Sequence, residues 1–423
     1  MRVSTQPITR AAFCTAIALT VAEFAAPAAN AQNATFNSGT NTVSSTFNTV
    51  TTNNDAITNF VVGANVTYAV GYNTSTANIR AGSINTAYAY NSSTTNISGG
   101  TVSTAYGNDT STVNISGGSV ANAYRYNAGI TNIFGGTVTT AYGFAGTLNI
   151  LAGSVGSIYD YNTSIMNISG GTVNSANARN TSTANITGGS VNSANARNIS
   201  TLNISSGTVS SAYGNDSGKV NISGGTVSSA SASDSSTVNI TSGSVTTLNG
   251  NDTGTVNILG GSVYNANGYN TSTTNITGGN VTQAYGYNTS TTNILGGSVG
   301  KAYGYNTSTT NIVAGTLTSG ILLSDTTATA NFIGANLSFA YSGYGNSNPY
   351  GYYADFFQVS GTFGGAAKTY DLYIRNAAGA GGTLNGAPRQ FSFNGVVVPE
   401  AGTLALFGAG LAAVGAVVVR RRK

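Results

Sequence analysis

The amino-acid sequence predicts an all-β protein, a parallel β-solenoid of about 14–16 coils, and three observations carry that prediction. The first is a repeat. An Asn-Ile pair recurs in register fourteen times from Asn78 to Asn311, 18 residues apart except for one interval of 17, and Asn-Phe versions stand at Asn59 and Asn331. A short fixed period running through most of a chain marks a solenoid, in which each coil contacts only its neighbours. The second is alternation: across residues 289–306, apolar and polar residues alternate with period two on both sides of a Gly pair, which is strand spacing. The third is composition, since Gly, Asn, Ser and Thr fill the repeat and disfavour helix.

Each segment of the unit then takes a place in the coil. With Ile294 inward, Thr292 and Ser290 share its face, while Thr289, Thr291 and Asn293 point out. Gly296 and Gly297 make a turn, as residues that tolerate positive φ do. Val299 opens a second inward row ending on Ala302, and the three-residue step between them requires a bulge or bend. Tyr303 and Tyr305 fall on the opposite, outer side, and a second turn near Asn306 closes the coil. Ile79, Ile97 and Ile115 begin one inner column, Val102, Val120 and Val138 another, and Ala105, Ala123 and Ala141 a third. Burying one such Ile or Val contributes roughly 1.5–3 kcal/mol, so a thin core lengthened by repetition can hold. Sixteen coils at about 4.8 Å each predict a rod of roughly 70 Å.

Residues 1–31 read as a secretory signal: Arg2 and Arg10, an apolar run, and Ala29-Asn30-Ala31 before a cut ahead of Gln32. The only cysteine, Cys14, leaves with it, and its setting early in the apolar run does not fit a lipoprotein acceptor. Residues 32–399 contain no Cys, His, Trp or Glu, which excludes disulfides and thiolate or imidazole metal sites, and no cofactor is expected. The chain has 15 basic and 11 acidic residues, but residues 32–399 carry nine of each and are neutral, so nothing points to nucleic acid. Residues 32–58 are expected to form an N-terminal cap or irregular first coil, and residues 59–334 the repeat domain. Residues 335–398 are expected to form an antiparallel C-terminal cap and linker, with strands in 337–341, 356–363 and 369–374 and a Gly- and Ala-rich link at 376–388. Phe356, Phe357, Tyr370 and Tyr373 are expected to pack on the last coil.

At the C-terminus, Val398-Pro399-Glu400 precedes 19 apolar residues, 401–419, and then Arg420, Arg421, Arg422 and Lys423. A helix of that length at about 1.5 Å per residue spans a hydrocarbon core, with the basic cluster on the cytoplasmic side. The arrangement resembles the PEP-CTERM sorting signal, except that Ala401 stands where the family usually has a second Pro. The resemblance implies an inner-membrane-anchored precursor in a Gram-negative bacterium, processing by an exosortase-like enzyme, and association with the cell surface, exopolysaccharide or biofilm matrix. A plain C-terminal membrane anchor is the alternative reading of the same pattern.

Three sets of repeated residues are candidate sites. Thr271 and Thr273, Thr289 and Thr291, and Thr307 and Thr309 would build an outward hydroxyl array resembling the ice-binding faces of antifreeze proteins, interrupted at Ile165, Ile199 and Lys219. Thr also simply suits an exposed strand. Tyr285 and Tyr287, with Tyr303 and Tyr305, would form an aromatic ladder able to stack on sugar rings, although Tyr is also a good strand residue. Asp216, Asp234 and Asp252, spaced by 18, would stack about 5 Å apart, where calcium would relieve their repulsion. The Gly-Asn-Asp at Gly107, Gly214 and Gly250 resembles calcium repeats of the RTX type. Most coils carry Asn in this column, however, and Asn and Asp are both turn formers.

Polysaccharide-cleaving β-helices need clustered carboxylates or bases, so an enzyme is not expected in a body lacking Glu and His. An autotransporter would carry a membrane barrel of many ten-residue strands, and no such pattern is present. The expected function is therefore a structural or adhesive role at the cell surface or in the matrix, with ice or crystal-surface binding by the Thr face as the alternative.

Overall fold

Eighteen residues return the chain to the same place in space. Thr291, Thr292, Asn293 and Ile294 pair in parallel with Thr309, Thr310, Asn311 and Ile312, and Val281, Ala284 and Tyr285 pair with Val299, Ala302 and Tyr303. The computed structural model describes residues 32–375 apart from 326 and 353, together with the backbone of 390–393 and 396–398. Over these residues the chain is a parallel β-solenoid of about 17 coils with no helix among the described residues.

Each coil contributes a short strand, such as Thr291–Ile294, and a long one, such as Ser298–Gly304. Three corners separate them. Gly297 sits at φ +70, and a Cβ on Gly296 would run into the carbonyl oxygen of Thr277 in the coil below, so the two glycines are needed for different reasons. Asn288 and Asn306 hold the next corner at φ 56 and 54, the left-handed region that Asn tolerates best after Gly. The third corner is the expected bend: Gly300 and Lys301 both turn outward, and Gly300 drops out of the pairing between Val281–Val299 and Gln283–Lys301. Three corners give each coil three short faces, with Ile294, Val299 and Ala302 buried between them.

The constant period along the chain has a polar cause as well as an apolar one. Asn293 donates from Nδ2 to Oδ1 of Asn275 at 2.8 Å. The same bond links every Asn of the Asn-Ile column to the coil before it, from Asn78 on Asn59 at 3.0 Å to Asn331 on Asn311 at 2.7 Å. A primary amide donates on one side and accepts on the other, which suits a ladder at strand spacing. The 17-residue interval leaves this ladder intact, because the lost residue falls in the corner at Gly143–Gly146. Thr147 still pairs with Ile130 and Ile165.

One inward column holds Gly or Ala in most coils, including Gly107, Ala178, Ala196 and Ala232. Thr52 and Leu323 stand in it near the two ends, and two charged residues interrupt it midway. Arg125 and Asp160, both fully buried, form an ion pair that passes the intervening Gly143, where a Cβ would collide with both side chains.

Residues 32–58, expected as a cap or irregular coil, form parallel rungs of the solenoid, with a register shift between Gln32 and Asn33 in the first. Gln32–Phe36 pairs in parallel with Thr46–Thr52, Thr40–Val43 pairs with Ile57–Phe60, and Val43 and Val50 join the core. The other end changes direction. Ala335–Gly345, Ala354–Phe363 and Ala366–Arg375 run antiparallel. Ala366–Arg375 also pairs in parallel with Ile321–Leu323, and Gln390–Phe393 with Thr329–Phe332, so the last coil's edges are occupied. Phe357, Phe363 and Tyr370 are buried there, with the Tyr370 ring 6.3 Å from that of Phe332. Tyr373 packs with Phe356 at 4.9 Å. The predicted signal at 1–31, the link at 376–388 and the membrane helix at 401–419 lie outside the described residues.

Candidate binding surface

In-register parallel strands place each side chain over its copy at strand spacing, and for tyrosine this produces stacks. One outward column runs Tyr88, Tyr106, Tyr124, Tyr142 and Tyr159, with ring centroids 4.7–5.6 Å apart. Beside it run Tyr72 and Tyr90 at 5.2 Å, then Tyr126, Phe144 and Tyr161 at 5.0 and 5.5 Å. A second array holds the predicted residues. Tyr285 stacks on Tyr303 at 4.5 Å, and Tyr269, Tyr287 and Tyr305 form a parallel stack at 5.0 and 4.9 Å.

The stacks correct the expected mode of sugar contact. Interplanar angles of 6–19° mean that within each stack the ring faces are covered by neighbouring rings, and only end rings such as Tyr285, which follows Asn267, have a face without one. The rod therefore presents ring edges and a comb of phenol hydroxyls. Burial and neighbouring phenols push Tyr287 and Tyr303 up to about 12, so these two keep their protons at neutral pH. The C-terminal end of the second array is closed as well. Tyr350 meets Tyr303 edge-on at 4.9 Å, and its hydroxyl donates to the carbonyl oxygen of Gly320 at 2.6 Å. The first array ends on a cation, with the Arg179 guanidinium 5.5 Å from the ring centroids of both Tyr159 and Tyr161.

The Thr pairs are split by the fold. Thr273, Thr291 and Thr309 open the short strands and point outward beside the Asn ladder. Thr271, Thr289 and Thr307 sit in the corner instead, and their hydroxyls donate to the carbonyl oxygens of Asp252, Asn270 and Asn288 at 2.8–2.9 Å. The expected flat double row is thus one strand row plus one structural corner row.

Asp216, Asp234 and Asp252 occupy the left-handed corner position at φ 57, 55 and 52, which Asn holds in most coils. Two of the three carboxylates accept from backbone: Asp216 Oδ2 from the Asn198 N–H at 3.0 Å and Asp234 Oδ2 from the Asp216 N–H at 3.1 Å. Asp252 accepts from Asn270 Nδ2 at 3.0 Å. No group of three metal-ligating side chains occurs among the described residues. In the C-terminal meander, a cavity of about 200 Å³ is lined by Ser342, Ser347, Asn348, Phe356 and Tyr373, without a carboxylate or lysine.

The sorting signal leaves from the solenoid's end. Val398 is the last residue of Val396–Val398 and pairs with Phe391; Pro399, Glu400, Arg420, Arg421, Arg422 and Lys423 lie outside the described residues. Residues 397–423 match the PEP-CTERM protein-sorting motif. That motif defines a class, exported proteins that Gram-negative bacteria make as membrane-anchored precursors and process with an exosortase-like enzyme. This chain is a β-solenoid carrying that motif at its C-terminus. No curated protein and no solved structure matches it.

Three features were not singled out from the sequence: the Asn ladder, the Arg125–Asp160 pair, and the arginines that continue the tyrosine stack. The second was detectable, since Arg125 and Asp160 break a column of Gly and Ala at the repeat period.

Proposed function

We propose that the protein is a structural and adhesive rod of the cell surface or extracellular matrix, non-enzymatic, and held to exopolysaccharide by its phenol comb. The observation that carries this reading is the pairing of a sorting motif with phenol columns repeated at strand spacing along one side of a rigid solenoid. Each hydroxyl contact to a sugar is weak, and repetition along one rod turns many into avidity. The lack of Glu and His in residues 32–399 supports the absence of catalysis. Ice or crystal-surface binding has less support, because the corner Thr hydroxyls are already engaged.

The test is retention of the exported protein on its host's own exopolysaccharide, compared with a chain carrying Ser at Tyr106, Tyr124, Tyr142 and Tyr159. Retention should weaken on the order of tenfold when four repeated contacts are lost. Equal retention of both chains would refute the phenol contact.

A further inference from the structure

We propose that Arg179 and Arg197 form a notch that binds the carboxylate or sulfate groups of an acidic polysaccharide. This deepens the exopolysaccharide reading and rests on it only for the polymeric nature of the ligand.

The outer column Tyr126, Phe144, Tyr161 continues in the next two coils as Arg179 and Arg197. Their backbone N–H groups donate to Asp160 and Ala178 at 2.9 and 3.0 Å, which fixes them one above the other at strand spacing. Arg179 lies over Tyr159 and Tyr161, so its planar guanidinium extends the ring stack; Arg197 is exposed above it. In the adjoining column the rings stop at the same level. Asn177 and Asn195 replace Tyr and are buried, and the next ring is Tyr213. The comb is therefore interrupted over three strand spacings, about 14 Å, leaving a polar floor flanked by phenols and edged by two cations. On that floor, Asn195 Nδ2 donates to Asn177 Oδ1 at 3.1 Å and Asn177 Nδ2 to the Ile158 carbonyl at 3.0 Å.

Nothing described neutralises the pair. Neither guanidinium has a hydrogen-bond or ion-pair partner among the described residues, and Arg179 Nε is buried without one. Asp216, the next carboxylate along, stands in the corner column, and its Oδ2 is engaged by Asn198 N and Nδ2 at 3.0 and 3.4 Å. Two like charges one strand spacing apart repel, and a bound anion removes that repulsion. The guanidinium fork matches carboxylate and sulfate in a bidentate manner, and the flanking phenols can hydrogen-bond ring hydroxyls. Two cations on a neutral body are too few for the basic track that nucleic acid requires.

The experiment measures binding of the exported protein to a polyuronate oligosaccharide, a neutral glucan and single-stranded DNA, by calorimetry at two salt concentrations. Polyuronate should bind in a salt-sensitive manner. Arg179→Gln with Arg197→Gln should weaken it on the order of tenfold and leave the neutral glucan unchanged. Arg197→Gln alone, at an exposed side chain, should weaken polyuronate binding by about threefold with an unchanged melting curve, which covers the case of a misfolded double variant. Equal polyuronate binding by the variants, no polyuronate binding by the native chain, or a preference for DNA would overturn the proposal. If polyuronate binding depends on the arginines while the protein is not retained on its host's polysaccharide, the notch stands and the matrix reading falls. Retention without arginine-dependent polyuronate binding means the reverse.

Discussion

Arg125 and Asp160 meet inside the solenoid 35 residues apart in sequence, across the bare backbone of Gly143. From Gly71 to Gly304 the rest of their column is Gly and Ala. Burial pushes the Asp160 carboxyl up against the opposing pull of Arg125, and Arg125 Nε, Arg125 Nη1 and Asp160 Oδ2 have no partner. Such a pair is costly to break and dispensable as a unit. Arg125→Ala should therefore lower the urea midpoint by the equivalent of about 3–5 kcal/mol, and the double variant with Asp160→Ala should recover most of that loss. A double variant no more stable than the single one would show that the pair's packing, and not its uncompensated charge, sets the cost.

The Asn ladder has a direction, and substitutions should respect it. Asn221 donates to Asn203 Oδ1 and accepts from Asn239 Nδ2, both at 2.9 Å. Asn221→Ala removes both bonds at a partly exposed site and should cost about 1–2 kcal/mol in denaturant titrations. Asn221→Asp keeps the acceptor but places an ionised oxygen against Asn203 Oδ1. It should be less stable than native at neutral pH and recover as pH falls through the new carboxylate's pKa, where a proton restores the donor. A pH-independent defect would contradict the ladder.

Tyrosine stacking predicts loss of stability at high pH. Tyr287 and Tyr303 are held up to about 12 by burial first and neighbouring phenols second, against an ordinary value of 10.0. A folded-state pKa above the unfolded one gives stability that is complete below pH 10 and lost as pH rises from 10 towards 12. Absorbance titration should show late phenolate formation. Tyr287→Phe should flatten the fall in melting temperature over that window, and an unchanged slope would contradict the assignment.

The Asp corner column behaves as turn chemistry. Because Asp216 and Asp234 accept from the N–H groups of Asn198 and Asp216, a chelator should leave the melting temperature unchanged. A fall on chelation that added calcium reverses would restore the calcium reading.

The parts legible from the sequence are those that repetition and burial write directly: the inward Ile, Val and Ala columns, the glycine corner, the bend before Ala302 and the sorting motif. What stayed hidden depends on how neighbouring coils meet. Whether Tyr285 shows its face or its edge depends on Tyr303 one coil away, and whether Thr289 is on a strand or a corner depends on its bond to Asn270. Residues 32–58 are polar and only loosely alternating, which points to a cap or irregular coil, yet Val43 and Val50 fill core positions. The Tyr350 contact required knowing that the loop after Gly345 folds back onto the solenoid.

In the proposed function the C-terminal motif delivers this rod beyond the cell membrane into the surface or matrix. Intact mass and cell fraction of the protein from its native host test it most directly. Loss of the chain beyond about Pro399, with recovery from the matrix fraction, is the predicted result. A retained tail found in the membrane fraction would contradict it and leave a simple anchored solenoid.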